Sequence, residues 1–437
     1  KTEIGKNKKA LVEFVSANPT GPLTVAHGRG AIIGDITCRL LEWNGYNVDR
    51  EYYFNNAGRQ MRILGKSLKA RYLELLKMEN EFPEDGYQGN YIIKLAKMLK
   101  NEFNDKLIDT NSESTFKDFA EKNIFEQIKK TLKTLRIEFD FYFNEDDLYK
   151  NGNIDDILSK LQDMGLIYKK EGATWFAGVK VNRPNDRVLI KSSGEPTYRL
   201  PDMAYHKTKF DRNYDLIIDV FGADHKDAYP DVLEAMKQLD YNLDKIKVLI
   251  HQFVTLTKNG KPIKMSTRKA DFVTLDELCE QVEPEVVRYF FIMRGMNSHL
   301  NFELDLAKEQ SDKNPVYYLQ YAHARICNIL KRADDLDYEL GISKNLELLN
   351  QKMEKKLIIA LLKFQDIIHR STQKLEAQII SNYLEDLSAM FHKYYAKHRI
   401  ISDNKKLTCA RIYLIDCIRI VLSNGLYILG LSSPKKM

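Results

Sequence analysis

Cysteine is scarce and scattered in this chain of 437 residues. Cys38, Cys279, Cys327, Cys409 and Cys417 form no CxxC pair and no Cys/His cluster, which argues against a disulfide framework and against structural zinc. The same scarcity points to a reducing, cytoplasmic setting. No apolar run approaches the ~18–20 residues of a membrane span, and no secretory segment opens the chain. No membrane partner is therefore expected. Internal repeats and low-complexity tracts are also missing. Methionine is missing from the first position, where Lys1 stands, so a truncated chain is expected. The other end reads as natural, with an apolar helix closing at Tyr427–Gly430 before SSPKKM.

What is present is an ordinary globular composition. Hydrophobic residues make up 44% and charged residues 29%, enough for a sizeable core, and the length suits two to four domains. The net charge of +6 is unevenly placed. From Leu304 onward there are 21 basic against 15 acidic residues, while the preceding part is balanced. A basic final third suits contact with a polyanion such as RNA, and equally suits a solvated helical surface.

The most informative stretch is Leu11–Asp35, LVEFVSANPTGPLTVAHGRGAIIGD. The apolar run Ala10–Val15 reads as a buried strand. Ser16, Asn18, Pro19, Gly21 and Pro22 then force a turn. A helical pattern comes next, with Ile32, Ile33, Ile36, Leu40 and Leu41 on one face, and Gly45 stops it. Strand, tight turn and helix open a nucleotide-binding α/β sheet, with the turn at the carboxyl end of the strand, where such sheets bind ligands. Free amides at the helix start suit a phosphate.

Further along, Asn47–Phe54 reads as a second strand and Asn55–Leu76 as a helix. Helical patterns cover Tyr91–Leu99, Thr115–Arg136 and Ile154–Met164. Phe139–Phe143 is a short strand and Leu166–Phe176 a strand or hairpin. Roughly 77–190 is expected to be an insertion in the nucleotide-binding sheet. Arg187–Ser192 and Leu216–Phe221 read as strands, the latter running into Gly222-Ala223-Asp224-His225. Lys247–Thr257 reads as one strand, with a hairpin turn after it at Asn259-Gly260. From Pro284 the pattern is helical throughout. Asn314 and Pro315 cap a helix, and amphipathic stretches at 357–368, 380–394 and 412–426 complete a bundle.

SANPTGPLTVAHGRG resembles the signature turn of class I aminoacyl-tRNA synthetases in its arginyl version, which usually reads NPTGPLHVGH. KMSTR, Lys264–Arg268, resembles the KMSKS loop of the same class. FPEDGYQG, GATWF, TYRLPDMAYH, FGADH and NPVYYLQYAHARI extend the resemblance over nearly everything from Leu11 onward. It implies an α/β chain with a Rossmann-type catalytic domain at 1–303 and an all-α anticodon-binding bundle at 304–437. The activity implied is ATP-dependent ligation of L-arginine to tRNA(Arg) through an arginyl-adenylate. Magnesium would accompany ATP, arginine activation would depend on bound tRNA, and a monomer is expected. The family normally carries an extra N-terminal domain that touches the tRNA elbow, and the resemblance implies that this sequence lacks it.

The resemblance also implies roles residue by residue. His27, Lys264 and Arg268 would carry catalysis by gripping phosphate oxygens, because the first step builds negative charge on phosphorus and pyrophosphate. Asn18, Pro19, Thr20, Gly21, Thr24, His27, Gly222, Asp224, His225, Lys264, Met265 and Ser266 would line the ATP site. Glu13, Ser16, Asn18, Tyr198, Asp202 and Asp224 would hold arginine, whose planar fork of donors suits carboxylates. Glu13, inside an apolar strand, must be paired, either with that guanidinium or with an internal Arg or Lys. Asp202 lies four residues after Tyr198, so the two share a face if the segment is helical. Tyr321, His323, Lys393, Lys397 and Arg399 are plausible but unranked anticodon contacts.

Thr24 and Ala26 depart from the family's usual His and Gly. Loss of one transition-state donor costs ~10²–10³ in rate. That departure keeps open an RNA-binding paralogue without catalysis. A nucleotidyltransferase of the same superfold and a synthetase for another amino acid also stay open.

Overall fold

The computed structural model describes residues 3–108, 113–263 and 273–437. The chain opens with β1 (Lys9–Glu13), α1 (Val25–Trp43), β2 (Asn47–Phe54) and α2 (Gly58–Leu75). β1 ends earlier than its apolar run suggests because Val15 and Ser16 have φ of 68° and 45°. The Ser16 N–H bonds Phe14 O at 3.0 Å, a γ-turn about Val15 that throws the chain out of the sheet. A β-branched residue at positive φ is strained, and such strain gathers at functional sites. α1 is buried all round rather than on one face, from Gly28 through Cys38 without a break.

Next come α3 (Asn90–Phe103), α4 (Glu113–Thr134), β3 (Phe141–Asn144), α5 (Asp146–Lys150), α6 (Asn153–Asp163), β4 (Ile167–Lys170), β5 (Ala173–Phe176) and β6 (Arg187–Ile190). The 77–190 range is not one insertion. β3 lies inside it and pairs in parallel with β2, Glu51 opposite Phe141. The segment before β3 is a helical layer packed on α2, and the segment after it ends in a separate sheet of order β4-β5-β6. A four-residue aromatic strand gives no local sign of which sheet it joins.

After α7 (Arg199–Asp211), β7 (Leu216–Gly222), α8 (Tyr229–Gln238) and β8 (Ile246–His251), the main sheet is complete in the order β3-β2-β1-β7-β8. All four pairings are parallel. The chain leaves β1 toward one edge and returns at β7 toward the other, so the switch point of the sheet lies between the carboxyl ends of β1 and β7. Ala10 and Val12 face one core with α1, whereas Leu11 faces a second core with α7 and α8.

The run predicted as one strand at 247–257 is two. It breaks at Gln252–Phe253, and β9 (Val254–Lys258) belongs to another sheet with β10 (Lys261–Pro262). Asn259 and Gly260 form the expected hairpin turn with φ of 50° and 70°. α9 (Leu275–Gln281) and α10 (Pro284–Ile292) come after it. β11 (Leu300–Glu303) interrupts the helical pattern expected after Pro284 and pairs in parallel with β9. α11 (Leu304–Lys308) leads into the bundle: α12 (Pro315–Asp334), α13 (Lys352–Leu362), α14 (Phe364–Lys374), α15 (Gln378–Lys397) and α16 (Lys405–Ile428). Asn314 caps α12 by accepting from Val316 N–H at 3.1 Å. The stretch predicted at 357–368 is split between α13 and α14 at Lys363.

Bundle and sheet domain share one continuous core. Arg288 on α10 ties them together from a fully buried position. Its guanidinium donates to Asp35 Oδ2 of α1 at 2.5 Å, to Leu135 O at 2.7 Å and to Leu429 O at 3.3 Å.

Candidate functional site at the switch point

The turn after β1 and the start of α1 form one wall. Asn18 Oδ1 accepts from Asn55 N–H at 2.9 Å, and Asn18 Nδ2 donates to Gln60 Oε1 at 3.2 Å. Thr20 N–H closes a tight turn onto Asn18 O at 2.7 Å around buried Pro19. Gly21 leaves room for Tyr91, whose hydroxyl donates to Thr20 O at 2.7 Å. Thr24 is the N-cap of α1. Its backbone N–H donates to His27 Nδ1 at 3.0 Å, with Thr24 Oγ1 3.1 Å from the same atom. The proton of the neutral ring therefore sits on Nε2, which is left to donate to a ligand. Burial lowers the His27 pKa, and nearby Asp224 only partly offsets this. Because Nδ1 is held by a backbone amide, the departure at Thr24 leaves the His27 geometry intact. Ala26 is exposed.

The facing wall comes from β7 and β8. Gly222, in register with His251, leads into a single turn of 3₁₀ helix that exposes Asp224 and His225, whose Nε2 lies 3.8 Å from Asp224 Oδ2. His251 was not singled out from sequence. Burial pushes its pKa down to about 4, and it packs so closely on Gly30 that a Cβ there would stand 2.7 Å from Nε2. Its place at the carboxyl end of a buried parallel strand was the available signal. Arg29 was missed too. It is fully buried without an acidic partner and donates to Gln252 O, Ser298 O and Gly295 O at 2.8–3.0 Å, holding the loops beside His251.

Lys264, Met265, Ser266 and Arg268 lie outside the described residues. Their described neighbours do meet the site. Thr274 bridges Thr24, and Leu275 N–H donates to Leu23 O at 2.8 Å.

The third wall is α7. Tyr198 is its N-cap and is 74% exposed, and Asp202 N–H bonds Tyr198 O at 3.1 Å, so the two share a face as expected. The half-buried Asp202 carboxylate accepts no hydrogen bond from the described residues. Burial pushes its pKa up to about 6, with His206 countering and Glu13 adding to the rise. Glu13 is in a different state. Oε1 accepts from Ser16 Oγ at 2.7 Å and Oε2 takes the Lys209 ammonium. The internal ion pair, one of the two partners open to Glu13, is the one the structure contains. Both oxygens are engaged before any substrate arrives, which counts against Glu13 as a primary guanidinium ligand.

Glu13 belongs to a row. Glu51 on β2, Glu13 on β1 and Asp219 on β7 are in register across three adjacent strands, all buried and all on the face toward α7. Apart from Ser16 on Glu13, α7 and the residue after it supply the partners. Tyr205 donates to Glu51 at 2.5 Å, Arg212 to Glu51 at 2.5 and 2.8 Å, Lys209 to Asp219 at 2.6 Å, and His206 Nε2 lies 2.9 Å from Asp219 Oδ2. Burial would raise the Asp219 pKa, but Lys209 and His206 hold it down to about 2.

On the bundle, Arg325 lies over Tyr321 at 4.3 Å and Tyr395 at 5.4 Å, with His392 stacked 6.0 Å from Tyr321. Tyr321 and Tyr395 are exposed. His323, a plausible RNA contact from sequence, is turned inward with Nδ1 2.9 Å from Pro434 O.

A parallel sheet with a phosphate-ready helix start at its switch point, joined to a helical bundle, is the architecture of a class I aminoacyl-tRNA synthetase. Residues 1–289 match the family described as tRNA synthetases class I (R), catalytic domain, and residues 319–437 match the DALR anticodon binding domain. Arginine–tRNA ligase of Desulfotalea psychrophila is 50% identical over all of this chain and 80% of its own length. That of Chlorobaculum tepidum is 49% identical with the same coverage. A Campylobacter jejuni structure assigned to the arginyl-tRNA synthetases superposes with a TM-score of 0.89 at 30% identity, covering 100% of this chain and 95% of its own. Thermus thermophilus arginyl-tRNA synthetase, at 19% identity and a TM-score of 0.78 over 98% of this chain and 83% of its own, shares the fold. The chain belongs to the arginyl-tRNA synthetase family.

Proposed function

We infer that this protein ligates L-arginine to tRNA(Arg) at the expense of ATP. The arginine carboxylate attacks the α-phosphorus and pyrophosphate leaves. A terminal ribose hydroxyl of the tRNA then attacks the acyl carbonyl of the adenylate and AMP leaves. The observation that carries this reading is Asp202, a carboxylate unpaired among the described residues and one turn from Tyr198, beside a helix start built for phosphate.

Each wall takes one part of the reaction. The α1 amides and the His27 Nε2–H face the triphosphate, where charge develops. Lys264 and Arg268 are proposed to grip the β- and γ-phosphates. Asn18, Pro19, Thr20, Gly21 and Thr24 form the floor under ATP, with Gly222, Asp224, His225, Met265 and Ser266 opposite. Asp202 takes the guanidinium and Tyr198 closes over it. Ser16 and Asn18 lie nearer the amino acid head group, and Asp224 is placed to meet its ammonium. Glu13 serves from behind through its Lys209 pair. Magnesium is expected with the ATP phosphates. Among the described residues no group of three or more His, Cys, Asp or Glu side chains is placed to hold a metal, so no step is assigned to one. Tyr321, Arg325, Tyr395 and His392 form a cationic stacking platform suited to unpaired anticodon bases, with Lys393, Lys397 and Arg399 on or just beyond α15. No helix among the described residues is long and apolar enough to cross a membrane. Monomeric state and a cytoplasmic location are part of the same proposal.

Charging of bulk tRNA with each of the twenty amino acids tests the reading. Arginine alone is expected to be transferred. Transfer of another amino acid, or tRNA binding without transfer, contradicts it.

A further inference from the structure

Asp202 is unpaired among the described residues, yet four residues away His206 is held at both ring nitrogens. Nδ1 lies 2.8 Å from Asp202 O, and Nε2 lies 2.9 Å from Asp219 Oδ2. A backbone carbonyl only accepts, and so does an ionised carboxylate. Two acceptors at hydrogen-bond distance require two ring protons. Asp219 is ionised, since the neighbouring Lys209 ammonium binds the same carboxylate at 2.6 Å.

We propose that His206 is a positioning residue for arginine recognition: doubly protonated, it pins the first turn of α7 to Asp219 and leaves the Asp202 carboxylate free of any hydrogen bond from the described residues. The proposal rests on the assignment of Asp202 to the arginine side chain. The buried acidic row beneath α7 is balanced. Glu13 and Asp219 carry two negative charges, and Lys209 and His206 two positive ones. Glu51 is matched by Arg212 at 2.5 Å. Asp202 lies outside that row, with no cation of its own among the described residues, and is left to meet a guanidinium.

The groups facing the His206–Asp202 turn come from several elements: Glu13 on β1, Tyr53 on β2, Asp219 on β7, Glu145 ahead of α5, His225 after β7, and Lys209 and Tyr205 on α7 itself. Of these, His206 and His225 favour the ionised Asp202, and Glu13 and Glu145 oppose it. His206 is thus the charge that keeps Asp202 ready for a cation, through a contact that leaves Asp202's own carboxylate oxygens free. A structural histidine would serve as well with one proton, so protonation separates the two roles.

The test uses the intact protein with ¹⁵N-labelled histidine, His206 being assigned by its loss in His206→Asn. Both ring nitrogens are expected to carry protons at pH 7.5. A single protonated nitrogen overturns the proposal. In the same variant, the acid limb of kcat/KM for arginine is expected to move up by a pH unit or more, with kcat at saturating arginine within threefold. Asp219→Asn, which frees His206 to shed a proton, is expected to move the limb the same way. A limb that stays put while kcat and KM worsen together overturns it. If the unsubstituted protein charges no arginine, the functional reading fails, and the positioning role with it, whatever the ring shifts show. Arginine charging with a singly protonated His206 overturns the positioning role alone.

Discussion

Thr274 bridges Thr24 in antiparallel register, so the chain emerging from the KMSTR segment is stitched to the N-cap of α1. The two motifs that the reaction needs side by side are far apart in sequence, and this bridge brings their neighbourhoods together. His27 reaches back to the same Thr24 through its backbone amide.

That arrangement predicts different costs for the two residues. His27→Ala removes the proposed phosphate donor and should lower kcat of tRNA-dependent ATP–pyrophosphate exchange by ~10²–10³, with little change in the KM for arginine. Thr24→Ala keeps the amide that orients His27. It should cost less than about tenfold in kcat, plus ~1 kcal/mol of helix capping. Steady-state exchange kinetics and urea unfolding read the two effects. A collapse of activity in Thr24→Ala would show that its hydroxyl does the work of the family's usual histidine.

Asp202 predicts a pH dependence. Its folded pKa is raised to about 6 by burial, so the folded state holds a proton that the unfolded state has already lost between pH ~4 and ~6. Stability from this group therefore falls as pH rises through that window, and arginine binding, proposed to need the ionised form, should gain over the same range. kcat/KM for arginine should fall about tenfold per pH unit below 6. Asp202→Asn should raise Tm at pH 8 by about 1–3 °C while raising the KM for arginine by ~10²-fold or more. A pH series of charging kinetics and calorimetric melting checks both.

Lys209 predicts the opposite balance. It bridges two buried carboxylates, Glu13 and Asp219. Lys209→Met leaves Glu13 without a cation and Asp219 with His206 alone, and should destabilise the protein by ~3–5 kcal/mol, more so at pH 8 than at pH 5, where protonation relieves the stranded acids. Denaturant unfolding at the two pH values measures it. Equal destabilisation at both would mean the acids find new partners.

Much of this site was legible before the structure. The Pro/Gly turn after β1, the four-residue spacing of Tyr198 and Asp202, and the loop after β7 are local patterns. Their physics, turn geometry and helix periodicity, is written in neighbouring residues. Glu13 was recognisable as a buried acid in need of a partner, but its partner Lys209 comes from across the fold. Glu51 and Asp219 line up with Glu13 only once strand register is known. Arg29 was invisible because its carbonyl partners come from distant loops, and His251 was passed over because the strand that ends at it was read as running on to Thr257. β3 was assigned to an insertion and β11 was read as part of a helical run, because short segments take their sheet from long-range pairing and not from their own pattern.

The bundle makes its own prediction. Arg325 is held between Tyr321 and Tyr395. Arg325→Ala should weaken tRNA binding by about tenfold or more, through lost stacking worth ~1–3 kcal/mol, and raise the KM for tRNA without changing the affinity for ATP. Filter binding with tRNA at two salt concentrations checks this. An unchanged KM for tRNA would move the RNA contact elsewhere on the bundle.

One ionised carboxylate, Asp202, is proposed to select the guanidinium. L-citrulline has nearly the shape of arginine and no charge. The direct measurement is the ratio of inhibition constants for citrulline and arginine analogues, in the presence of tRNA at pH 8, for the unsubstituted protein and Asp202→Asn. The account predicts a preference for the cation of ~10²-fold or more that shrinks to within about threefold in the variant. A preference that survives the substitution would place the guanidinium against another acid and contradict the account.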